Sequence, residues 1–343
     1  NDYGGFFAMS GNPKKKERIF SGVQPSGNLT LGNYLGALKH FPELQDEYEC
    51  LYCVVDLHTL TVRQDPALLR ERSYAVLALY IACGLDPEKT ILFLQSHVAA
   101  HAELSWILTC NAYMGELGRM TQFKDKAARH ADNINAGLYT YPVLMASDIL
   151  LYQAKYVPIG QDQKQHLELA RDVAIRFNKI YGETFTVPEP LISKQGAKVM
   201  SLQEPDKKMS KSDQNANNYV LIIEQPDIIL KKFKKAVTDS GSEIRFDPEN
   251  KPGISNLLNI YSTVKDISVA QAEQEFSGAR YGDFKIAVGT AVAESLAPIR
   301  EEYERLMADR AYLEGILRRN SVRAREIAES TKKDVYERVG LLS

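Results

Sequence analysis

The sequence is poor in long apolar runs and in net charge, and each shortage excludes a class of protein. No apolar run approaches the roughly 18 residues that a membrane-spanning helix needs, and the N-terminus lacks a signal-peptide hydrophobic region. A formal net charge of -2 over 343 residues gives no bulk attraction to nucleic acid or to an anionic membrane, although a local basic surface is still allowed. We therefore expect a cytoplasmic protein with no membrane partner.

The four cysteines do not have the spacing of a metal site. Cys50 and Cys53 form a C-x-x-C, but they lie in the strand-like run ECLYCVVD, with no second C-x-x-C and no nearby pair of histidines. Strand side chains three positions apart point to opposite faces of the sheet, so the two thiolates could not readily share one ion. We interpret the cysteines as structural and expect no metal ligand from a protein side chain.

Short apolar runs alternate with longer helical ones from Arg18 onward. The strand candidates are RIFSGV, CLYCVVD, TILFLQ and YVPIG, and a helix candidate begins at Asp65 and Pro66 and ends at Gly84. A second helix is expected to stop at Gly182. This alternation predicts an α/β fold with a doubly wound parallel sheet. After about Ser201 the strand pattern vanishes and helical periodicity continues, which predicts a second, all-helical region.

The first strand-to-helix loop, QPSGNLTLGN at residues 24–33, is a candidate anion site. Ligands of doubly wound sheets bind beyond the carboxyl ends of the strands, where glycines let the backbone approach and helix amides can meet an anion. The loop has neither G-x-G-x-x-G nor a Walker A lysine, so it supports neither dinucleotide binding nor P-loop hydrolysis. Taken alone, it would be an ordinary turn.

A second segment, PDKKMSKSDQ at residues 205–214, changes that interpretation. T-L-G-N followed about 180 residues later by K-M-S-K-S resembles the paired signatures of the class I aminoacyl-tRNA synthetases. Thr30 and Asn33 stand where that family usually has histidines, and their side chains can still hydrogen-bond a phosphate or a ribose. The run FSGVQPSGNLTLGNYLGA resembles the tryptophanyl-tRNA synthetases of bacteria and organelles, as do TYPVLMASDILLY, VPIGQDQKQH and KPGISNLLNIYS.

The resemblance implies a domain arrangement. Residues 18–204 would form a Rossmann-like catalytic domain whose helical insertion, at about 100–155, includes the homodimer interface. Residues 205–214 would be the KMSKS loop, and residues 215–343 a helical anticodon-binding domain whose last helix is expected to pack back on the catalytic domain. Residues 1–17 are interpreted as a tag or disordered leader.

The run TYPVLMASDILLY places a carboxylate among apolar side chains. Tyr141, Met145, Asp148 and Tyr152 are spaced by four, three and four residues, so they share one stripe of a helix, which Pro142 is expected to begin. A carboxylate in such surroundings is costly unless it is paired. We expect its partner to be a donor on an apolar ligand, and the resemblance supplies one in the indole N–H of tryptophan.

The resemblance also implies the reaction and its participants. L-tryptophan and ATP would form tryptophanyl-adenylate and pyrophosphate, and tRNA(Trp) would then accept the acyl group. Mg²⁺ would be held by the ATP phosphates, and basic runs at 231–235 and 318–325 would follow the tRNA phosphates. The alternatives are a tyrosyl enzyme, a small-molecule nucleotidyltransferase and a non-catalytic RNA-binding relative.

Individual site residues follow from the same resemblance. Residues with a catalytic role would be Thr30, Asn33, Lys126, Lys208 and Lys211, although an ordinary solvated lysine remains an alternative for Lys126. ATP would be bound by Gln24, Pro25, Ser26, Gly32, Asn33, Gly160, Gln161, Asp162, Val199, Lys208, Met209, Ser210, Lys211 and Ser212. Tryptophan would be bound by Asp148, Tyr141, Met145, Gln163, Phe20, Val55 and His58.

Overall fold

The structure is a computed structural model that describes residues 16–27, 29–120, 134–160, 163–191 and 198–342. Three predicted site residues, Lys126, Gln161 and Asp162, lie outside the described residues. The interpretation of the N-terminal segment as a tag or leader also falls almost wholly outside them.

Five parallel strands form a single sheet in the order β3-β2-β1-β4-β5. Strands β2 and β3 lie on one side of β1, and β4 and β5 lie on the other. The direction of strand addition therefore reverses between β1 and β4, and ligands of such sheets bind at this topological switch point. The predicted doubly wound fold is confirmed. The strands are β1 (Arg18–Val23), β2 (Glu49–Val54), β3 (Ile91–Leu94), β4 (Tyr156–Pro158) and β5 (Glu189–Leu191).

Eight helices accompany these strands in the described part of the first 191 residues. Asp65 begins α4 as predicted, because its side chain accepts a hydrogen bond from the Leu68 amide, and Gly182 ends α8 with a φ of 91° that favours glycine. The helices are α1 (Leu31–Gly36), α2 (Phe41–Glu47), α3 (Asp56–Thr59), α4 (Pro66–Ala82), α5 (Ala100–Thr109), α6 (Met114–Gly118), α7 (Ala136–Leu150) and α8 (Lys164–Tyr181).

Two local predictions are wrong. The helical run TLGNYLGALKHF at residues 30–41 predicts a single helix. The structure divides it into α1, a 3₁₀ turn at Leu38–His40 and α2, because Pro42 suits a first helical turn but not a helix interior. Pro142 does not begin α7. The helix begins six residues earlier, where the Asn135 side chain accepts a hydrogen bond from the Leu138 amide at 3.0 Å, and Pro142 lies inside it.

The region after residue 198 is helical, as predicted. Among its described residues there is no strand of the sheet, and two isolated bridges join Thr30 to Leu221 and Met200 to Lys208. Its helices are α9 (Pro226–Lys234), α10 (Pro252–Lys265), α11 (Val269–Glu275), α12 (Tyr281–Ala308) and α13 (Arg310–Val339). None of the helices traced here is long and apolar enough to cross a membrane.

The sheet has an apolar core on each face. Cys50 belongs to one core and Cys53 to the other, which confirms that the two thiols of the C-x-x-C point to opposite faces. The core of Cys50 continues into α10 and α12, and the core of Cys53 is formed with α5, α7 and α8. Helix α13 contributes Ala324, Ala328 and Val335 to this second core, so the last helix packs against the sheet domain.

Candidate active site

The loop after β1 and the lysine-rich loop at 205–214 meet at the switch point. Lys211 Nζ donates to Ser26 Oγ at 3.0 Å and to the Gly27 carbonyl at 3.3 Å. The chain following the lysine-rich loop pairs with the first loop, since the Leu31 amide donates to the Val220 carbonyl at 2.8 Å. Two segments about 180 residues apart in sequence therefore form one surface.

Met209 anchors the lysine-rich loop beneath this surface. Its side chain is buried, and its amide donates to the Val199 carbonyl at 3.1 Å. A Cβ added to Gly32 would lie 3.6 Å from the Cβ atoms of both Met209 and Val199, so three of the predicted ATP-binding residues are in contact. Lys208 is exposed beside them.

Lys211 is only half buried, but its surroundings already lower the pKa of its side chain. Burial lowers the pKa of its ammonium group, and the nearby charge of Arg72 lowers this pKa further. Lys211 and Arg72 line one cavity of about 420 Å³, together with Gly27, Tyr219 and Tyr303. This cavity presents two cations next to the first loop, and sequence reasoning did not single out Arg72.

Thr30 and Asn33 bond to each other. Thr30 Oγ1 accepts from the Asn33 amide at 3.3 Å, while Asn33 Oδ1 accepts from the Thr30 amide at 2.9 Å, which is a capping box at the start of α1. Thr30 is buried and Asn33 is exposed. Both side chains therefore hold the first turn of α1 in place, and Asn33 is the one that reaches the surface.

The remaining predicted nucleotide residues lie on both sides of the switch point. The Gln24 carbonyl accepts from the Ser26 amide at 2.8 Å, with buried Pro25 between them, and Ser210 and Ser212 share a hydrogen bond of 2.8 Å. After β4, the exposed Gly160 accepts from the Gln163 amide at 3.0 Å at the start of α8.

Asp148 lies deep in the molecule and is 1% exposed. Its Oδ2 accepts from His58 Nε2 at 2.7 Å, and its Oδ1 accepts from His101 Nδ1 at 2.6 Å and from Gln95 Nε2 at 2.7 Å. Burial alone would raise the pKa of Asp148, but the charge of His58 and the hydrogen bonds from His101 and His58 outweigh it and hold the pKa below its usual value. The carboxylate therefore stays ionised.

Aromatic and apolar side chains surround this carboxylate. Phe20 stacks on Tyr152 with ring centroids 5.6 Å apart, and Tyr141 Oη is 2.8 Å from His166 Nε2. Burial raises the pKa of Tyr141 to about 12, so its hydroxyl keeps its proton at neutral pH. Val55 is buried and Met145 is half buried at the same core.

Gly22 lies close to Val55 and Phe20, and sequence reasoning did not single it out. It lies two residues after Phe20 on β1, and a Cβ there would come within 2.9 Å of Val55 Cγ1. Such a contact is too close for two carbon atoms, so a larger residue would displace Val55.

Gln95 and His101 were also missed as functional candidates. They lie 53 and 47 residues before Asp148 in sequence and come to it from the end of β3 and the first turn of α5. The only sequence signal was their position at or soon after the end of the predicted strand TILFLQ, where parallel-sheet proteins collect their site residues.

Comparison with known proteins identifies the family. A family model described as tRNA synthetases class I (W and Y) matches residues 12–297. The crystal structure of tryptophanyl-tRNA synthetase from Mycoplasma pneumoniae is 36% identical, covers 96% of this chain and 99% of its own, and superposes with a TM-score of 0.87. The chain belongs to the tryptophanyl-tRNA synthetase family.

A second tryptophanyl-tRNA synthetase extends the comparison to ligands. The enzyme from Campylobacter jejuni, solved in complex with ADP and tryptophan, is 35% identical to this chain, with a TM-score of 0.81. The match covers 94% of this chain and all of the other. A tyrosyl-tRNA synthetase from Archaeoglobus fulgidus, at 21% identity and a TM-score of 0.65 over 84% of this chain and 90% of its own, shares the fold.

Proposed function

We propose that this tryptophanyl-tRNA synthetase activates L-tryptophan with ATP, releasing pyrophosphate, and then transfers the tryptophanyl group from the adenylate to tRNA(Trp). The observation that carries the proposal is the contact of Lys211 with Ser26 and Gly27, which joins the two signature loops at the switch point of the sheet. The buried, ionised Asp148 supplies the second requirement, a selective amino-acid site beside those loops.

The charges of the reactants decide what the protein must supply. The carboxylate of tryptophan is already ionised at neutral pH, so its attack on the α-phosphate of ATP needs positioning and charge neutralisation rather than a general base. We assign the neutralisation of the leaving pyrophosphate to Lys208 and Lys211, whose flexible stems suit a moving group. The described residues hold no cluster of three or more metal-ligating side chains, so we assign Mg²⁺ to the phosphate oxygens of ATP.

We assign binding of the adenosine portion to the loops on either side of the switch point. Gly32 and Gly160 leave the backbone open to close approach, and the exposed Asn33 presents its amide group at the start of α1. The ADP in the Campylobacter jejuni relative supports a nucleotide at this site. The same proposal assigns a nucleotide contact to Gln161 and Asp162 and a phosphate contact to Lys126.

We assign the indole ring to the pocket of Phe20, Val55, His58, Tyr141 and Met145, with its N–H donating to Asp148 and with Gln163 near its ammonium group. Two donors already occupy Oδ1 of Asp148, whereas Oδ2 has His58 alone among the contacts of the structure. A carboxylate oxygen can accept two hydrogen bonds, so Oδ2 has capacity for one more donor. Tyrosine carries its donor as a phenolic O–H at the end of a single ring, so the position of its donor differs from that of the indole N–H, and we assign the selectivity to this difference.

We propose that part of the tRNA surface lies in a groove of about 630 Å³ between α4 and α13. Arg70, Arg318 and Arg325 are exposed along it. Ser96 and His97 also line it, and they follow Gln95, which donates to Asp148. The basic run at 231–235 is less suited to this role than its composition predicts. Its Lys232 is buried and pairs with Glu224 at 2.5 Å.

We further propose a homodimer through the helical insertion. Trp106 and Met114 are 71% and 72% exposed, and Tyr113 is also exposed, so α5 and α6 carry an apolar surface that a second copy could cover. Trp106→Asp should shift the protein toward the monomer in sedimentation. Leu68 is an exposed apolar residue on α4, and Leu68→Asp should leave the sedimenting mass unchanged.

Because the proposed activity serves translation, we infer a cytoplasmic location.

Amino-acid-dependent exchange of labelled pyrophosphate into ATP tests the function. We expect exchange with tryptophan, and none with tyrosine or without an amino acid. Exchange with tyrosine alone would favour the tyrosyl enzyme, and exchange that needs no amino acid would favour a nucleotidyltransferase.

The role of the groove in tRNA binding is tested by a charge reversal. Arg318→Glu should lower tRNA charging without changing pyrophosphate exchange. Arg305 is an exposed arginine of α12 that pairs with Glu302, and Arg305→Glu should change neither activity.

A further inference from the structure

The carboxylate of Asp148 is held by a buried polar network that extends beyond the amino-acid pocket. Gln95, His101 and Tyr152 are fully buried, and none of them is among the residues assigned to bind tryptophan. His101 uses both ring nitrogens, Nδ1 toward Asp148 at 2.6 Å and Nε2 toward Tyr152 Oη at 2.8 Å. Its ring is therefore held from two sides.

Gln95 is fixed in the same manner. Its Nε2 donates to Asp148 Oδ1 at 2.7 Å, and its Oε1 accepts from the Leu57 amide at 3.1 Å. This backbone contact determines which end of the side-chain amide faces the carboxylate, because a reversed amide would place its N–H₂ group against the Leu57 donor. Leu57 is also the residue before His58, so Gln95 links the carboxylate to the turn that carries its other partner.

An ionised carboxylate can only accept hydrogen bonds, so each of its three partners must donate. Oδ1 receives Gln95 and His101 and has no further capacity, whereas His58 is the only donor to Oδ2 among the described residues. The two donors on Oδ1 thus fix the rotation of the carboxylate and leave Oδ2 as the atom that can accept from a ligand.

We propose that Gln95 and His101, with Tyr152 behind His101, are positioning residues for tryptophan selection: they hold Asp148 so that Oδ2 faces the indole N–H. The proposal rests on the function proposed above and adds to it the groups that set the geometry of selection. None of the three touches the reacting atoms. Their effect should therefore fall on recognition of the N–H and leave the chemistry of activation unchanged.

A tryptophan analogue in which sulfur replaces the indole N–H separates positioning from general support of the fold. β-(3-Benzothienyl)-L-alanine has nearly the shape of tryptophan but offers no donor to Asp148. The quantity to measure is the ratio of kcat/KM for tryptophan to kcat/KM for this analogue in pyrophosphate exchange. A loosely held carboxylate lowers this ratio, whereas general damage to the pocket lowers both values and leaves the ratio unchanged.

We expect His101→Leu and Gln95→Met to lower this ratio about tenfold, the effect of losing one hydrogen bond to a charged group, with an unchanged KM for ATP. His101→Asn keeps a donor near the position of Nδ1 and should retain most of the ratio. Gln45→Met is the matched control, because Gln45 is also buried and bonded to backbone groups, at Gly84 and Asp86, but lies away from the pocket. It should leave the ratio as in the unmodified protein.

An unchanged ratio in both His101→Leu and Gln95→Met would overturn the proposal. Should these variants fail to fold, Tyr152→Phe decides, since it removes only the hydroxyl that holds His101 and should lower the ratio by a smaller factor. An unchanged ratio in a folded Tyr152→Phe would then count against the proposal. Failure of the proposed function would appear separately, as absence of tryptophan-dependent exchange in the unmodified protein.

Discussion

The surroundings of Asp148 and the lysine-rich loop at 205–214 differ in how far their charged groups are buried and held in place. Asp148 is one of the most deeply buried charges of the described residues, and three protein donors hold it before any ligand arrives. Lys208 is exposed, and Lys211 is half buried with two contacts on the opposite loop. Under the proposed function, Asp148 selects the amino acid as a carboxylate that does not move, whereas Lys208 and Lys211 are cations that can follow the leaving pyrophosphate.

Replacing the fixed charge should give the largest effect. Asp148→Asn places an amide among three donors, so kcat/KM for tryptophan should fall by about 10²- to 10³-fold, as for one partner of a buried hydrogen-bonded charge pair. Pyrophosphate exchange at varied tryptophan measures the loss. Asp46→Asn is the control, because the Asp46 side chain is exposed and pairs with Lys89 across the surface. Unaltered tryptophan kinetics in Asp148→Asn would mean that the fixed charge of Asp148 does not select tryptophan.

Removal of a mobile charge should act on the rate instead. Lys211→Ala should lower kcat of activation by about 10²-fold, the usual result of deleting one group that stabilises transition-state charge. Tryptophan affinity, measured by calorimetry, should stay the same. Lys207→Ala changes a neighbouring lysine that pairs with Glu204 at 2.6 Å and should have no such effect. A loss of tryptophan affinity in Lys211→Ala, with kcat preserved, would contradict the assigned role.

A methyl group added at Gly32 tests whether ATP approaches the backbone of the first loop. A Cβ on Gly32 meets its neighbours at ordinary contact distances of 3.5 to 3.6 Å, so Gly32→Ala should fold normally. If ATP approaches the backbone here, KM for ATP should still rise about tenfold, because displacing a substrate by a fraction of an ångström is costly. Gly115→Ala, also on a helix and with open space around it, is the control. Normal ATP kinetics in Gly32→Ala would place the nucleotide elsewhere.

The pH dependence of stability should give the smallest effect. The folded-state pKa of Asp148 lies below its unfolded value of about 3.9. Its ionised form therefore stabilises the protein fully above that unfolded value, and this contribution is lost as pH falls through the folded pKa. Urea unfolding from pH 7 down to about pH 3 should thus fall less steeply for Asp148→Asn than for the unmodified protein. Parallel curves would mean that Asp148 is not held as an anion.

Local patterns predicted most of the sheet and the longer helices. Strands β1 to β4 are apolar runs next to strong helix signals, and Asp65 and Gly182 mark helix ends through their own side-chain and backbone properties. Strand β5 was not predicted, because it has three residues, includes Pro190 and lies at the edge of the sheet. The position of Pro142 inside α7 was missed, because Asn135, seven residues earlier, provides the capping signal.

By itself, the sequence determined the fold class and the two signature loops, and it singled out Asp148 as a candidate, because hydrophobic periodicity and short motifs are local properties of a chain. Only the tertiary structure decided which groups satisfy that carboxylate. From the sequence, a ligand is expected to supply the donor that pairs this carboxylate, but His58, Gln95 and His101 already donate to it from 47 to 90 residues away. Contacts between distant segments depend on strand order and helix packing, and no local pattern records them. The same holds for Lys211 and Ser26, which are 185 residues apart in sequence and meet in the folded chain.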